Sequence, residues 1–263
     1  MDLGLKGKTA LVCAASQGLG YATALEIARE GASILICSRR EHAINAAAES
    51  IRKETGAEVL AVAADVSATA DIERLVGAGV ERFGKIDILV TNSGGPPAGP
   101  FDSLTRESWD DATRILLTSV IELTKLVLPG MRERRWGRIL NVTSIASKQP
   151  VDNLMLSNSL RAAVTGFAKT LANKVAADGV TVNNILPGYT RTERLDELIE
   201  FLAEKESLTA DEIRGRWEAE IPMRRLGEPH EFGALATFLV SERASYITGS
   251  SIAVDGGWTK SLF

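Results

Sequence analysis

Cysteine, histidine and aromatic side chains are scarce in this chain of 263 residues. It has two Cys, two His, four Trp, three Tyr and seven Phe. Cys13 and Cys37 both end apolar runs, so they read as two buried thiols of a reducing cytoplasm rather than as a disulfide framework. His42 and His230 stand far apart, and with two lone cysteines they make no metal-ligand cluster. No histidine pairs with a serine in the pattern of a hydrolase triad. The few rings do not interleave with basic residues, so no platform for stacking bases is present. No apolar run is long enough to span a bilayer, and Met1–Lys8 lacks the apolar core of a signal peptide. Nor does either charge dominate. Thirty basic residues face 34 acidic ones, which argues against a nucleic-acid or membrane-surface partner. The single basic cluster, Arg132–Arg138, reads as a helix end whose arginines complement the helix dipole.

What is present is organised around Leu11-Val-Cys-Ala-Ala-Ser-Gln-Gly-Leu-Gly20. A buried strand, Thr9–Cys13, runs through a small-residue loop into a helix that begins near Gly18. Gly18 and Gly20 let the backbone approach a ligand closely. The free N–H groups and positive end of the helix then make a seat for a pyrophosphate. Such a turn marks a dinucleotide site only between strand and helix, and that context is met here.

Strand-like and helix-like runs alternate along the rest of the chain. The strands read as Ser33–Cys37, Val59–Ala63, Ile86–Val90, Arg138–Val142, Val180–Leu186 and Ser251–Val254. The helices read as Leu19–Glu30, Ala43–Lys53, Asp71–Phe83, Trp109–Arg134 and Leu156–Ala177, with Glu231–Val240 late in the chain. Apolar strands separated by amphipathic helices predict an α/β fold: a Rossmann-type doubly wound parallel sheet in a single domain covering 1–263. One polar insert, near 190–225, breaks the rhythm. Leu195, Leu198, Ile199 and Leu202 fall on one helical face. Thr209 and Glu212 have capping-box spacing before a second helix carrying Ile213 and Trp217. Lying after a strand's carboxyl end, the insert reads as a substrate lid, with an oligomer contact or surface decoration as the other reading.

Over essentially its whole length the sequence resembles the short-chain dehydrogenase/reductase family, and within it the 3-oxoacyl-acyl-carrier-protein reductases. The resemblance rests on the first-strand glycine motif, Ala64-Asp65-Val66, Asn92-Ser-Gly94, Asn141-Val-Thr-Ser144, Pro187-Gly188, Thr248-Gly249 and Val254-Asp-Gly-Gly257, taken in order. It implies cofactor-binding roles for Ser16, Gly18, Leu19 and Gly20 at the diphosphate and its ribose. It also implies Asp65 and Val66 at the adenine, Asn92 and Gly94 along the cofactor backbone, and Pro187, Gly188, Thr190 and Thr192 at the nicotinamide end. It further implies a small-molecule substrate and a homotetramer or homodimer, to whose contacts the apolar tail Trp258–Phe263 would contribute. Ala14 stands where the family usually has glycine.

Charge decides between the two nicotinamide dinucleotides. NAD-selective members end the second strand with an acidic residue that bonds both ribose hydroxyls. Here Ser38-Arg39-Arg40 follows the strand, and Arg39 can pair a 2′-phosphate through its planar fork. NADP(H) is therefore expected, and NAD(H) is disfavoured.

The catalytic pattern departs from the family. Ser144 matches the family's serine. The family's Tyr-x-x-x-Lys pair aligns with Ser157 and Arg161, and its helix Asn with Leu116. A tyrosine hydroxyl has an ordinary pKa of about 10 and can be tuned towards neutrality. A serine hydroxyl is a far weaker acid. Arg161 cannot serve as a base, but it can donate to the nicotinamide ribose and keep the site positive. A lost general acid slows a reaction by a factor on the order of 10²–10⁴ without forbidding hydride transfer. Three readings follow: a reductase using another acid, near Lys148, Asp152 or Tyr189; a reductase of a quinone, flavin or conjugated compound protonated from solvent; or an inactive NADPH-binding module serving as a redox sensor or partner subunit. An oxidoreductase whose catalytic positions are Ser144, Ser157 and Arg161 is the leading expectation.

Overall fold

The computed structural model describes residues 2–262. Seven parallel strands form one sheet: β1 (Thr9–Cys13), β2 (Ser33–Ser38), β3 (Val59–Ala63), β4 (Ile88–Thr91), β5 (Gly137–Val142), β6 (Val180–Pro187) and β7 (Ser251–Val254). Their spatial order is β3-β2-β1-β4-β5-β6-β7. The helices are α1 (Gly18–Arg29), α2 (Glu41–Thr55), α3 (Thr69–Phe83), α4 (Arg106–Thr113), α5 (Ser119–Glu133), α6 (Met155–Val175), α7 (Glu193–Glu206), α8 (Ala210–Glu220) and α9 (Pro229–Leu239).

The period-two pattern of each strand splits the core into two layers. Ala10, Val12, Ile34 and Ile36 point to one face, where Ile27, Ile44, Ile51 and the fully buried Phe232 of α1, α2 and α9 cover them. Leu11, Cys13, Leu35 and Cys37 point to the other, under Leu75, Met131 and Ala172 of α3, α5 and α6. With both faces covered, the strands need no polar alternation, which is why they read as continuous apolar runs. β1 pairs with β2 on one side and with β4 on the other. The chain thus reverses direction across the sheet between β1 and β4. The carboxyl ends of strands at such a switch point open a crevice.

Three local expectations are corrected. The run Trp109–Arg134 is not one regular helix: α4 and α5 are joined by a wider π-helical turn over Arg114–Thr118. The basic cluster is only in part a helix end. Arg132 sits in the last turn of α5, but Arg138 lies inside β5, 3% exposed. There it donates to the carbonyls of Ser241 and Gly137, with Trp136 stacked on its guanidinium. Arg134 instead reaches the buried carboxylate of Asp87 at 3.3 Å. Tertiary partners, not the helix dipole, placed these arginines. In the insert, Leu198 is exposed, while Ile199, Ala203 and Ile213 form a small core with Leu195, Leu202 and Trp217.

The insert leaves and returns at one place. Arg191 donates its N–H to the carbonyl of Gly227, and Gly227 donates to that of Tyr189. The capping box is made as its spacing requires: the Thr209 hydroxyl accepts from the Glu212 N–H, and the Glu212 carboxylate accepts from the Thr209 N–H at 2.8 Å. Tyr189 stacks on Trp217 with ring centres 4.8 Å apart, and Trp258 meets Tyr189 edge-on. Among the described residues, no helix is long and apolar enough to cross a membrane.

Candidate active site

A cleft of about 740 Å³ opens at the carboxyl ends of the strands, over the β1–β4 switch point. Its floor is the turn between β1 and α1. Gly18 holds a positive φ of 59° there, and Gly20 packs so tightly that a methyl would come within 2.8 Å of the Ala14 carbonyl carbon. Gly20 therefore shapes the turn from behind, while Ala14, Ser16, Gly18 and Leu19 line the cleft. Ala14 also has a positive φ, of 50°. The substitution of glycine by alanine keeps the turn but holds an L-residue in a disfavoured conformation.

Arg39 and Arg40 follow β2 at one end of the cleft, both exposed. Arg40 donates to Gln17 at 3.2 Å. Arg39 has no partner among the described residues. Asp65 and Val66 line the same end. The Asp65 carboxylate accepts from both the N–H and the hydroxyl of Ser67, at 2.9 and 2.8 Å, which closes a tight turn. Asn92 and Gly94, after β4, line the middle. Pro187 lines the far end, whereas Gly188 and Thr190 lie outside the wall: Gly188 packs against Asp255, and Thr190 is buried. Cys37 lines the cleft but is fully buried and, like Cys13 beside it in register, carries a free thiol. Hydrogen bonding to Cys37 and burial push the Cys13 thiol pKa up.

At the end of β5, Arg161 reaches in from α6. Its Nη1 donates to the carbonyls of Val142 and Thr143 at 3.0 and 2.8 Å, and its Nε donates to the Ser157 hydroxyl at 3.1 Å. The two aligned positions thus meet, one helical turn apart. Burial, and then the charge of Arg194, pull the Arg161 pKa down to about 10, which still leaves it protonated at neutral pH. Ser157 is buried and does not line the cleft. Ser144, like Ser157, is not part of the cleft wall, and its oxygen accepts from the N–H of Ala146 at 3.1 Å. Leu116 is not a polar site at all: it packs with Ala112, Leu156 and Leu160. Only a cavity of about 10 Å³ remains beside it, room for one water at most.

The three substitute acids do not reach the cleft wall. Tyr189 is held in the aromatic stack, where burial, then Glu220, raise its pKa. Asp152 is exposed and Lys148 half-buried, both outside the cleft. Among the described residues that line it there is no Tyr, His or Lys, and none of the described residues form a metal-binding cluster.

Several lining residues escaped the sequence reading: Gln17, Ser38, Arg40, Ile115, Thr143 and Arg194. Arg194 had a signal. It sits in the first turn of α7, directly after the Thr192 cap, where a cation opposes the helix dipole. Thr143 stood inside the motif Asn141-Val-Thr-Ser144, just past the end of β5, but the motif gave it no role of its own.

A family model described as enoyl-(acyl carrier protein) reductase matches residues 13–259. The chain is 35% identical over 255 residues to a 3-oxoacyl-acyl-carrier-protein reductase of Vibrio cholerae, covering 97% of this chain and 98% of that one. It is 36% identical over 259 residues to D-beta-hydroxybutyrate dehydrogenase of Cupriavidus necator, covering 97% and 98%. Among solved structures, L-sorbose reductase of Gluconobacter frateurii, complexed with NADPH and L-sorbose, is similar over 100% of both chains, with a TM-score of 0.96 and 33% identity. Actinorhodin polyketide ketoreductase with NADPH is similar over 96% of this chain and 97% of that one, with a TM-score of 0.92 and 33% identity. The likeness runs through the whole length, from the glycine turn to the last strand, and it makes this chain an oxidoreductase belonging to the short-chain dehydrogenase/reductase family.

Proposed function

We propose that the protein is an NADP(H)-dependent reductase of a small carbonyl, alcohol or conjugated compound, whose own residues hold the reacting group without supplying its proton. The observation that carries this reading is the Ser157–Arg161 pair, made at 3.1 Å where the family places its proton donor.

The cleft fits a dinucleotide. The amino end of α1 faces it, Gly94 has open space where a side chain would stand, and Arg39 is an unpartnered guanidinium at the adenine end. In this reading Ser16, Gly18 and Leu19 seat the diphosphate. Asp65 and Val66 flank the adenine, Asn92 and Gly94 follow the cofactor backbone, Pro187 meets the nicotinamide end, and Thr192, which lies against Gly18, reaches the carboxamide and phosphates. Gly20, Gly188 and Thr190 act from behind by shaping that wall. NAD(H) suits the cleft less, since no carboxylate ends β2.

When bound, NADPH supplies a hydride. Arg161 then acts by charge: a fixed cation beside the reacting group would stabilise a developing oxyanion. Ser144, its oxygen already accepting from Ala146, keeps its proton free to donate to that oxygen. Ser157 orients Arg161 and is too weak an acid to complete the transfer, so the proton comes from water. This favours substrates whose reduced anion is itself stable, such as quinones and conjugated carbonyls.

Titration of NADPH and NADH into the purified protein tests the cofactor assignment. NADPH is expected to bind the tighter, and Arg39→Ala to weaken it roughly 10-fold or more while leaving NADH almost unmoved. Binding of neither nucleotide overturns the reading. Loss of nicotinamide absorbance with quinones, but not with simple ketones, then tests the proton argument.

The rest of the proposal concerns the whole chain. Residues 1–263 act as one dinucleotide-binding domain, with 190–225 as a lid, and the free buried thiols suit the cytoplasm. A homotetramer or homodimer is supported by the exposed Leu126 on α5 and the exposed Tyr246 and Leu262 near the carboxyl end; Phe263 lies outside the described residues. Light scattering on the purified protein is expected to give two or four copies, and a monomer overturns it.

A further inference from the structure

Two cations line the cleft close enough for the charge of one to be felt by the other, and neither has an ion pair among the described residues. Arg161 has spent Nε and Nη1 on Ser157 and two carbonyls, and its Nη2 makes no bond to any described residue. Arg194 lies across the cleft from α7 to the loop after β4. A methyl at Gly95 would stand 2.8 Å from its Nη1 and closer still to Nη2. It too has no hydrogen bond or ion pair among the described residues. Its charge is felt at Arg161, whose pKa it helps to lower. Holding two like charges together is unfavourable unless an anion joins them.

A third group points to the same place. The Thr143 hydroxyl is buried, with the residue 3% exposed, and its Oγ1 has no partner. Thr143 lines the cleft next to Arg161. It is one of five such threonine hydroxyls among the described residues, and the one of the five that lines the cleft; an unsatisfied buried hydroxyl calls for a partner. The acids of the cleft do not answer it. Asp65 is committed to Ser67 at the opposite end. The Glu193 carboxylate lies towards the glycine turn, 3.7 Å from where a Gly18 methyl would be.

Arg194 follows Thr192 and Glu193, which lie against Gly18 of the glycine turn, but the cofactor's diphosphate does not reach Arg161 and Thr143. Its seat is the amino end of α1, which follows β1. β5 lies two strands away in the sheet, roughly 10 Å at the usual strand spacing. We propose that Arg161, Arg194 and the Thr143 hydroxyl form a seat for a carboxylate of the substrate, which makes the substrate class a carboxylate-bearing conjugated carbonyl compound. This rests on the NADP(H) reading above, which places the reacting carbon at this end of the cleft. The fork of Arg194 and the single free Nη2 of Arg161 would together give a planar carboxylate orientation as well as affinity.

The test is calorimetric titration of the NADP⁺-saturated protein with oxamate, pyruvate and phenylglyoxylate, each beside its neutral amide. At least one carboxylate is expected to bind, with its amide failing to. Arg194→Ala is expected to weaken that binding roughly 10- to 100-fold, and Arg194→Lys less, because charge remains but the fork is lost. Thr143→Val is expected to weaken it by a smaller factor. NADPH affinity, titrated in parallel, should stay within about twofold in all three variants. Equal binding of acids and amides, or no binding by any acid, overturns the carboxylate seat while leaving the cofactor reading intact. A loss of NADPH affinity in Arg194→Ala as large as the loss of carboxylate affinity also overturns it, since Arg194 would then hold the cofactor. Failure of the unaltered protein to bind NADPH is a separate result and sinks the cofactor reading itself.

Discussion

Ala14 holds a left-handed backbone between β1 and α1, at φ 50°, where its Cβ crowds its own peptide. Such a conformation is disfavoured for an L-residue by about 1–2 kcal/mol, and glycine adopts it freely. Ala14→Gly is therefore expected to stabilise the fold by about 1 kcal/mol, reduced from the full strain by the extra freedom of glycine in the unfolded chain. Thermal unfolding would read this as a higher midpoint. An unchanged or lower midpoint would mean the strain is relieved elsewhere. Gly20 behaves oppositely, since any side chain there meets the Ala14 carbonyl. Together the two residues show why the glycine pattern of this turn is not uniform in importance: one position is conformational, the other steric.

At the scale of elements, the α7–α8 insert has its own small core and few ties to the sheet. It is anchored at Thr190 and Gly227 by backbone bonds and at Trp217 by the stack on Tyr189. Its second helix depends on the capping box at Thr209. Thr209→Ala should cost about 1 kcal/mol, and because the insert's core is separate, the loss should be local. Hydrogen exchange is expected to quicken over residues 208–221 while β1, β4 and β5 keep their protection. A uniform change across the sheet would show that the insert and the main core unfold as one. A cover with its own stability can open without disturbing the cofactor floor, which is the behaviour a lid requires.

For the whole molecule, the ion pair of Glu231 and Arg225 gives one handle on the pH response. Glu231, at the start of α9, accepts from both Nη atoms of Arg225 at 2.8 and 2.6 Å and from the Glu228 N–H at 2.8 Å. The Arg225 bonds, then the backbone bond, pull its pKa from the usual 4.5 to about 2. The folded state thus holds this carboxylate ionised to lower pH than the unfolded chain does. Its contribution is complete above about pH 4.5 and fades as the pH falls to about 2. Urea midpoints of Glu231→Gln should lie below those of the unaltered protein above pH 4.5 and converge with them near pH 2. A constant gap across that range would show that the loss comes from packing rather than from ionisation. The effect is expected to be modest, since the pair is solvent-screened.

Much of this architecture was legible in the sequence, because local physics dictates it. The strand positions follow from apolar runs that must be covered on both faces. The glycine turn follows from backbone geometry, and the capping box from the spacing of Thr209 and Glu212. The meeting of Ser157 and Arg161 was readable too, since those residues lie on one helix a turn apart. What the sequence could not decide is what distant elements bring together. Arg134 and Arg138 look like a helix end until Asp87 and Ser241 claim them. Leu198 fits the apolar stripe of α7, yet α8 packs on the adjacent face and leaves it exposed. Arg194 and Thr143 are 51 positions apart in the chain and share one cleft only because the start of α7 folds back over the glycine turn and the loop after β4. Strand and helix are set by interactions within a few residues; a binding site is set by the crossings between them, and those exist only once the sheet is assembled.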